Sequence, residues 1–244
     1  KGGDLSLPSG LQGVDLGDDP ELLGLQRPER RTVDDPIDTE YPYVLGMDRA
    51  AQSLHGFLMS QRVAGNDVAS VVRLFGLVAE KVGELHELAA LLHFDIKPRN
   101  ILLMADGSVV LCDLDASMKL GTMRTSNAKA GSSGYYAPEV ARCEEDPINR
   151  GLLEASESLD VWSLGVLLFE LCTGRTLFRQ DISNDDLVDS TDLTRLFTWG
   201  TISDKNLSDV FKGVENKDAD AYRGPAKHLI RWCLKGRAAE RPTV

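Results

Sequence analysis

Two hydrophobic periodicities organise the chain. Val68, Val71, Val72, Phe75, Val78, Ala79, Val82 and Leu85 recur at three- and four-residue spacings, which predicts an amphipathic helix over residues 67–92 with Asp67 as its N-cap. Residues 159–171 are apolar on almost every face and Gly174 is placed to end them, so they predict a helix buried all round. Strand signals are shorter. Residues 101–104 and 109–112 are apolar runs joined by a turn containing Asp106 and Gly107, a hairpin pattern. Residues 41–47 form another β-prone run. Before it, Pro8, Pro20, Pro28 and Pro36 interrupt every candidate element, and residues 1–40 read as loop or linker. Residues 113–137 read as a long loop, 143–158 as an acidic irregular stretch, and 187–197 and 226–234 as helical patches. No internal repeat is visible.

The polar residues with chemical potential flank the hairpin. Before it stand His93, Phe94, Asp95, Ile96, Lys97, Pro98, Arg99 and Asn100; after it come Asp113, Leu114 and Asp115. Phosphoryl transfer needs a carboxylate for the attacking hydroxyl's proton, a cation on the moving phosphate and hard oxygen ligands for Mg²⁺. A hairpin returns Asp113 toward Asn100 and so can assemble that set. With 38 acidic and 27 basic residues the formal charge is −11, a balance that repels the phosphate backbone of nucleic acids and anionic lipid. The longest nearly apolar stretch is too short to span a bilayer. Cys112, Cys143, Cys172 and Cys233 lie far apart with no C-x-x-C pair, which points to free thiols in a reducing, cytoplasmic compartment.

Residues 93–100 resemble the catalytic loop H-R-D-x-K-x-x-N of the eukaryotic protein kinase family, Asp113-Leu114-Asp115 resembles D-F-G, and Ala137-Pro138-Glu139 resembles A-P-E. Asp160-Val161-Trp162-Ser163-Leu164-Gly165 is similar to the start of the family's central buried helix, and Glu240-Arg241-Pro242-Thr243 to its closing arginine motif. Five motifs in family order carry the resemblance over residues 41–244. It implies an α+β, kinase-like fold, mainly the helical C-terminal lobe with a small catalytic β-hairpin, and a serine/threonine protein kinase that uses ATP and Mg²⁺ on a protein hydroxyl. It implies Asp95 as catalytic base and Lys97 on the transferred phosphate. Asn100 and Asp113 become the metal ligands, and Met47, Asp48, Ala50 and Leu102 join them in binding the nucleotide, with Met47 at the back of the adenine pocket and residues 48–50 as hinge. Glu139 and Arg241 would form a buried ion pair, Asp160 would hold the catalytic loop from below, His93 would pack on Leu114, and the Ser132 hydroxyl would bridge Asp95 and Lys97.

Several positions depart from the family pattern. Phe94 replaces the arginine that pairs with activation-segment phosphates, so activity independent of phosphorylation at Thr122, Thr125 or Ser126 is expected. Asp115 replaces a glycine and forfeits backbone freedom. Gly10, Gly13 and Gly17 do not fit G-x-G-x-x-G, and the sole lysine before Lys81 is Lys1. Lys1 and Glu21 have a spacing that suits the family's strand lysine and helix glutamate, but Gly2-Gly3-Asp4 is not strand-like. Residues 1–40 therefore read as linker or a remnant of the nucleotide-binding lobe, both edges read as truncated, and little turnover is expected of these 244 residues alone. The alternative reading is a pseudokinase or kinase remnant acting as an interaction module. A small-molecule phosphotransferase would share the H-x-D…N loop but lacks counterparts of Ala137-Pro138-Glu139 and the Asp160 helix. The acidic runs Glu144-Glu145-Asp146 and Asp185-Asp186 read as solvated loops.

Overall fold

The computed structural model describes residues 47–124, 131–145 and 152–244. The expectations for residues 1–46, including Lys1, Glu21 and the β-prone run, lie outside the described residues, as do Thr125, Ser126 and the side chains of Glu144, Glu145 and Asp146.

A three-stranded antiparallel sheet carries the hairpin. Strand β1 (Gln52–Ser53) pairs with β3 (Ile101–Leu103), which pairs with β4 (Val109–Leu111), the register setting Leu102 opposite Val110. Alternation puts Ile101 and Leu103 into the core and Leu102 on the opposite face. Two smaller ribbons flank it: β2 (Leu91–Leu92) with β5 (Met118–Lys119), and β6 (Met123–Arg124) with β7 (Leu153–Glu154).

The helices supply the bulk. Helix α1 (Leu54–Gln61) follows β1 directly, and α2 (Val68–Ala89) begins at Asp67, whose carboxylate accepts the Ser70 amide at 3.1 Å. The buried stripe of α2 runs through Val71, Leu74, Val78, Val82 and His86, with Val72 and Phe75 at its margin. Helix α3 (Pro138–Glu145) occupies part of the stretch expected to be irregular. Arg142 explains its docking: the guanidinium donates to the carbonyls of Phe197, Trp199 and Gly236 at 2.9, 2.9 and 3.2 Å. Helix α4 (Glu157–Thr173) is buried at every residue from Leu159 to Phe169 and ends at Gly174 with φ +66°. It packs on α2 and on α7 (Lys217–Cys233). A Cβ on Gly165 would sit 2.7 Å from the Cys233 Cβ, so glycine permits the close crossing of α4 and α7. Helices α5 (Ser190–Phe197) and α6 (Asp204–Ser208) complete the lobe around Trp162, Trp199 and Phe178, whose rings meet edge to face. Helix α7 extends through Gly224 and Pro225, beyond the patch legible in sequence. All four cysteines are free, and burial pushes the Cys172 and Cys233 thiols up to about 12.

Candidate active site

The loop before β3 is held by a carboxylate from the central helix. Asp160, fully buried in the first turn of α4, accepts the main-chain amides of His93 at 2.8 Å and Phe94 at 2.9 Å, and meets His86 Nε2 at 2.9 Å. Phe94 has φ +66°, a left-handed conformation that costs a bulky residue about 1–3 kcal/mol and persists only where its surroundings impose it. Asp160 imposes it by fixing both adjacent amides. His93 is consumed as a strut: Nε2 donates to the Cys112 carbonyl at 3.2 Å, and Nδ1 accepts the Asp95 amide at 3.3 Å. Leu114, expected to pack against His93, is 46% exposed.

The strained turn delivers Asp95 into a network. Its Oδ1 accepts the Ser132 amide at 2.7 Å; its Oδ2 accepts Asn100 Nδ2 at 2.7 Å and lies 3.2 Å from Lys97 Nζ. Asn100 also donates to the Asp95 carbonyl at 2.9 Å, so the amide nitrogen faces Asp95 and the amide oxygen is turned away. Lys97 Nζ donates to Ser132 Oγ at 2.6 Å. Ser132 thus joins Asp95 and Lys97 through two groups, its main-chain amide for one and its hydroxyl for the other.

Across the hairpin, the Cys112 amide donates to the Asn100 carbonyl at 3.0 Å and brings Asp113 alongside. Asp113 is exposed with φ +62°, and the following residues form a 3₁₀ turn over Leu114–Ala116. The left-handed residue is therefore Asp113, and Asp115 sits in the turn without positive φ, so the missing glycine imposes no strain there. Burial, with the neighbouring Asp113 charge, pushes the Cys112 thiol up. Leu102 is half-buried on the outer sheet face. Met47 is 71% exposed, Asp48 is exposed and Ala50 half-buried; among the described residues no hydrogen bond or ion pair joins Met47 or Asp48 to the catalytic loop.

The segment from Gly131 to Tyr136 closes the site from the other side. A Cβ on Gly131 would lie 2.2 Å from the Phe94 carbonyl, so that position is packed rather than free. Tyr135 donates its hydroxyl to Glu170 Oε2 at 2.7 Å, and Ser163 donates to the Tyr135 carbonyl at 2.9 Å. Burial raises the Glu170 carboxyl above its ordinary range, and burial together with the Glu170 charge raises the Tyr135 phenol. Below, Arg241 grips both Glu139 oxygens at 2.6 and 2.7 Å, donates to the Lys235 and Ser158 carbonyls, and lies over the Trp162 ring.

A family model described as protein kinase domain matches residues 35–244. The chain belongs to the protein kinase family. It is 30% identical over 175 residues to serine/threonine-protein kinase CHK1 of Saccharomyces cerevisiae, covering 70% of this chain and 32% of that protein. It is 41% identical over 96 residues to serine/threonine-protein kinase PEPKR2 of Arabidopsis thaliana, covering 39% and 18%, and 32% identical over 155 residues to serine/threonine-protein kinase sck1 of Schizosaccharomyces pombe, covering 57% and 21%. The matched part of the chain thus spans about a third or less of the length of these curated relatives.

Within this kinase fold, sequence reasoning missed several residues around the site. His86 had a signal, since it continues the four-residue steps of Val78 and Val82 on α2. Arg124, on β6, had none: its guanidinium lies 5.4 Å from the centroid of the Phe94 ring, and Phe94 in turn stacks on Tyr136 at 6.2 Å. The run Asp185-Asp186 is corrected. Asp185 is buried and ion-paired to Arg99 and Lys97, while Asp186 Oδ1 accepts the Ser133 amide and hydroxyl, both at 2.9 Å. A carboxylate is buried only where cations and amides replace its water, and here the catalytic loop and the Ser133 turn supply them.

Proposed function

We propose that the protein carrying this chain is an ATP-dependent serine/threonine protein kinase, with residues 41–244 as hinge and C-terminal lobe. The carrying observation is the bond between the Cys112 amide and the Asn100 carbonyl, which sets Asp113 beside a loop that already holds Asp95, Lys97 and Asn100 together. Asp95 is the base. Its carboxylate is oriented by Ser132 and Asn100, so an incoming hydroxyl meets an acceptor that needs no reorganisation. Lys97, held beside Asp95 by Ser132, is placed to meet the transferred phosphate.

The Asn100 amide oxygen and the exposed Asp113 carboxylate are hard oxygen donors, the chemistry Mg²⁺ takes. Mg²⁺ usually keeps several waters and is held by one or two protein oxygens together with substrate phosphates. When bound, the ion would neutralise phosphate charge. Leu102, on the outer sheet face, would support the adenine, with Met47, Asp48 and Ala50 along its edge. The acceptor is a protein hydroxyl, and nucleic acid is an unsuitable partner for a chain of net charge −11. Among the described residues no helix is long and apolar enough to cross a membrane, and free thiols suit a cytoplasmic setting.

Titration of Mg-ATP onto the natural full-length protein and its variants tests the assignment. Asp113→Asn is expected to lose the Mg²⁺-dependent part of ATP affinity, whereas Asp95→Asn binds Mg-ATP normally and loses roughly 10²–10⁴ in turnover. ATP affinity that is insensitive to Mg²⁺ in the unsubstituted protein overturns it.

A further inference from the structure

The segment between α4 and α5 performs an unexpected task. Gln180 bridges to Leu187, the Asp181 amide donates to the Asp186 carbonyl at 2.8 Å, and the Asp185 amide donates to the Asp181 carbonyl at 2.9 Å, closing a tight loop. At its end Asp185 takes φ +62°, and its residue exposure is 9%. A non-glycine left-handed residue and a buried carboxylate are both unfavourable, so the position needs compensation. That compensation comes from the catalytic loop. Asp185 Oδ2 lies 3.1 Å from Arg99 Nε and 3.7 Å from Lys97 Nζ, and its Oδ1 accepts from Arg99 Nε at 3.3 Å. Oδ2 is buried without a hydrogen bond of its own. Lys97 therefore stands between two carboxylates, Asp95 at 3.2 Å and Asp185 at 3.7 Å. The Asp185 carbonyl also accepts the Gly134 amide at 3.1 Å, tying this loop to the segment that bears Ser132.

We infer that Asp185 is a positioning residue for phosphoryl transfer, a second counter-charge that keeps Lys97 from collapsing onto the catalytic base. The inference rests on the assignment of Asp95 and Lys97 above. Among the described residues, removing Asp185 leaves Lys97 with Asp95 as its remaining carboxylate partner and takes away the ion pair of Arg99. The ammonium, already 3.2 Å from Asp95 Oδ2, would close further and occupy the lone pair that must receive the hydroxyl proton. With Asp185 in place, the lysine charge is balanced from both sides and can shift to the phosphate while Asp95 stays available. Asp95, Lys97 and Arg99 of the catalytic loop, His55 of α1, Tyr135, and Glu170 of α4 are the titratable groups that share this neighbourhood.

The test compares Asp185→Asn and Asp185→Glu with the unsubstituted full-length protein, measuring kcat and KM for ATP, with ¹⁵N-lysine NMR of the Lys97 ammonium. Asp185→Asn is expected to lower kcat about tenfold, with KM for ATP within about twofold. Asp185→Glu recovers most of the loss, and the Lys97 resonance shifts in Asp185→Asn. An unchanged kcat, or a loss that follows the folded fraction with no recovery in Asp185→Glu, overturns the inference. If the unsubstituted protein transfers no phosphate, the kinase assignment fails by itself, and a Lys97 resonance identical in wild type and Asp185→Asn independently refutes the pairing.

Discussion

Asp160→Asn is the sharpest test of how the catalytic loop is built. The substitution is isosteric and replaces one of two acceptor oxygens with a donor. In one orientation the new NH₂ group occupies the Oδ2 position, where it opposes the His93 amide and also faces His86; in the other it opposes only the Phe94 amide. The second orientation preserves more bonds and is the one the side chain adopts. It leaves the Phe94 amide unsatisfied and buried at the residue whose φ of +66° most needs restraint. A lost charge-assisted bond and an orphaned buried amide together cost about 3 kcal/mol or more. For a chain of this size that lowers the melting temperature by about 6–12 °C, at about 2–4 °C per kcal/mol. Urea titration should show a lower midpoint with an unchanged slope, because the surface exposed on unfolding is the same. Hydrogen exchange should speed selectively at Phe94 and its neighbours. A midpoint change below about 1 kcal/mol, or a Phe94 amide that stays protected, refutes the view that Asp160 imposes the turn.

Arg241→Met strands Glu139 and removes donors to the Lys235 and Ser158 carbonyls, and is expected to destabilise the fold by about 3–5 kcal/mol in chemical denaturation; Arg241→Lys should recover only part, since an ammonium cannot span two carboxylate oxygens. Glu170 has a folded carboxyl raised chiefly by burial, so its contribution to stability is complete below the unfolded value and falls as pH climbs through the folded one. Glu170→Gln, which still accepts from Tyr135, should melt above wild type near neutral pH, with the gap closing toward pH of about 4; a gap independent of pH refutes the reasoning. Phosphatase treatment should leave protein kinase activity unchanged, because Arg124 and Tyr136 pack on Phe94 where a phosphate-binding arginine would otherwise stand; a large activity loss refutes it.

What was legible in the sequence, and what was not, follows from how far each interaction reaches along the chain. Helix α2, the hairpin and α4 announce themselves because their signals are local: Asp67 caps an amide three residues on, Gly174 ends the turn that precedes it, and the Asp106-Gly107 turn joins neighbouring strands. Asp95, Lys97 and Asn100 were equally accessible, since they fall within six positions and meet through one turn. Asp185 was not, because its partner Arg99 lies 86 positions away and an acidic pair in a polar loop has the same composition whether it is solvated or buried. Only the tertiary fold decides which, by bringing two cations to it. The same distinction accounts for Arg124 and for α3, whose docking depends on Arg142 reaching carbonyls 55 to 94 residues ahead. Charged residues of this kind reveal nothing through periodicity, yet they set the geometry around Asp95 and Lys97. The local pattern therefore names the groups proposed to react, while the long-range ion pairs set Lys97 between Asp95 and Asp185.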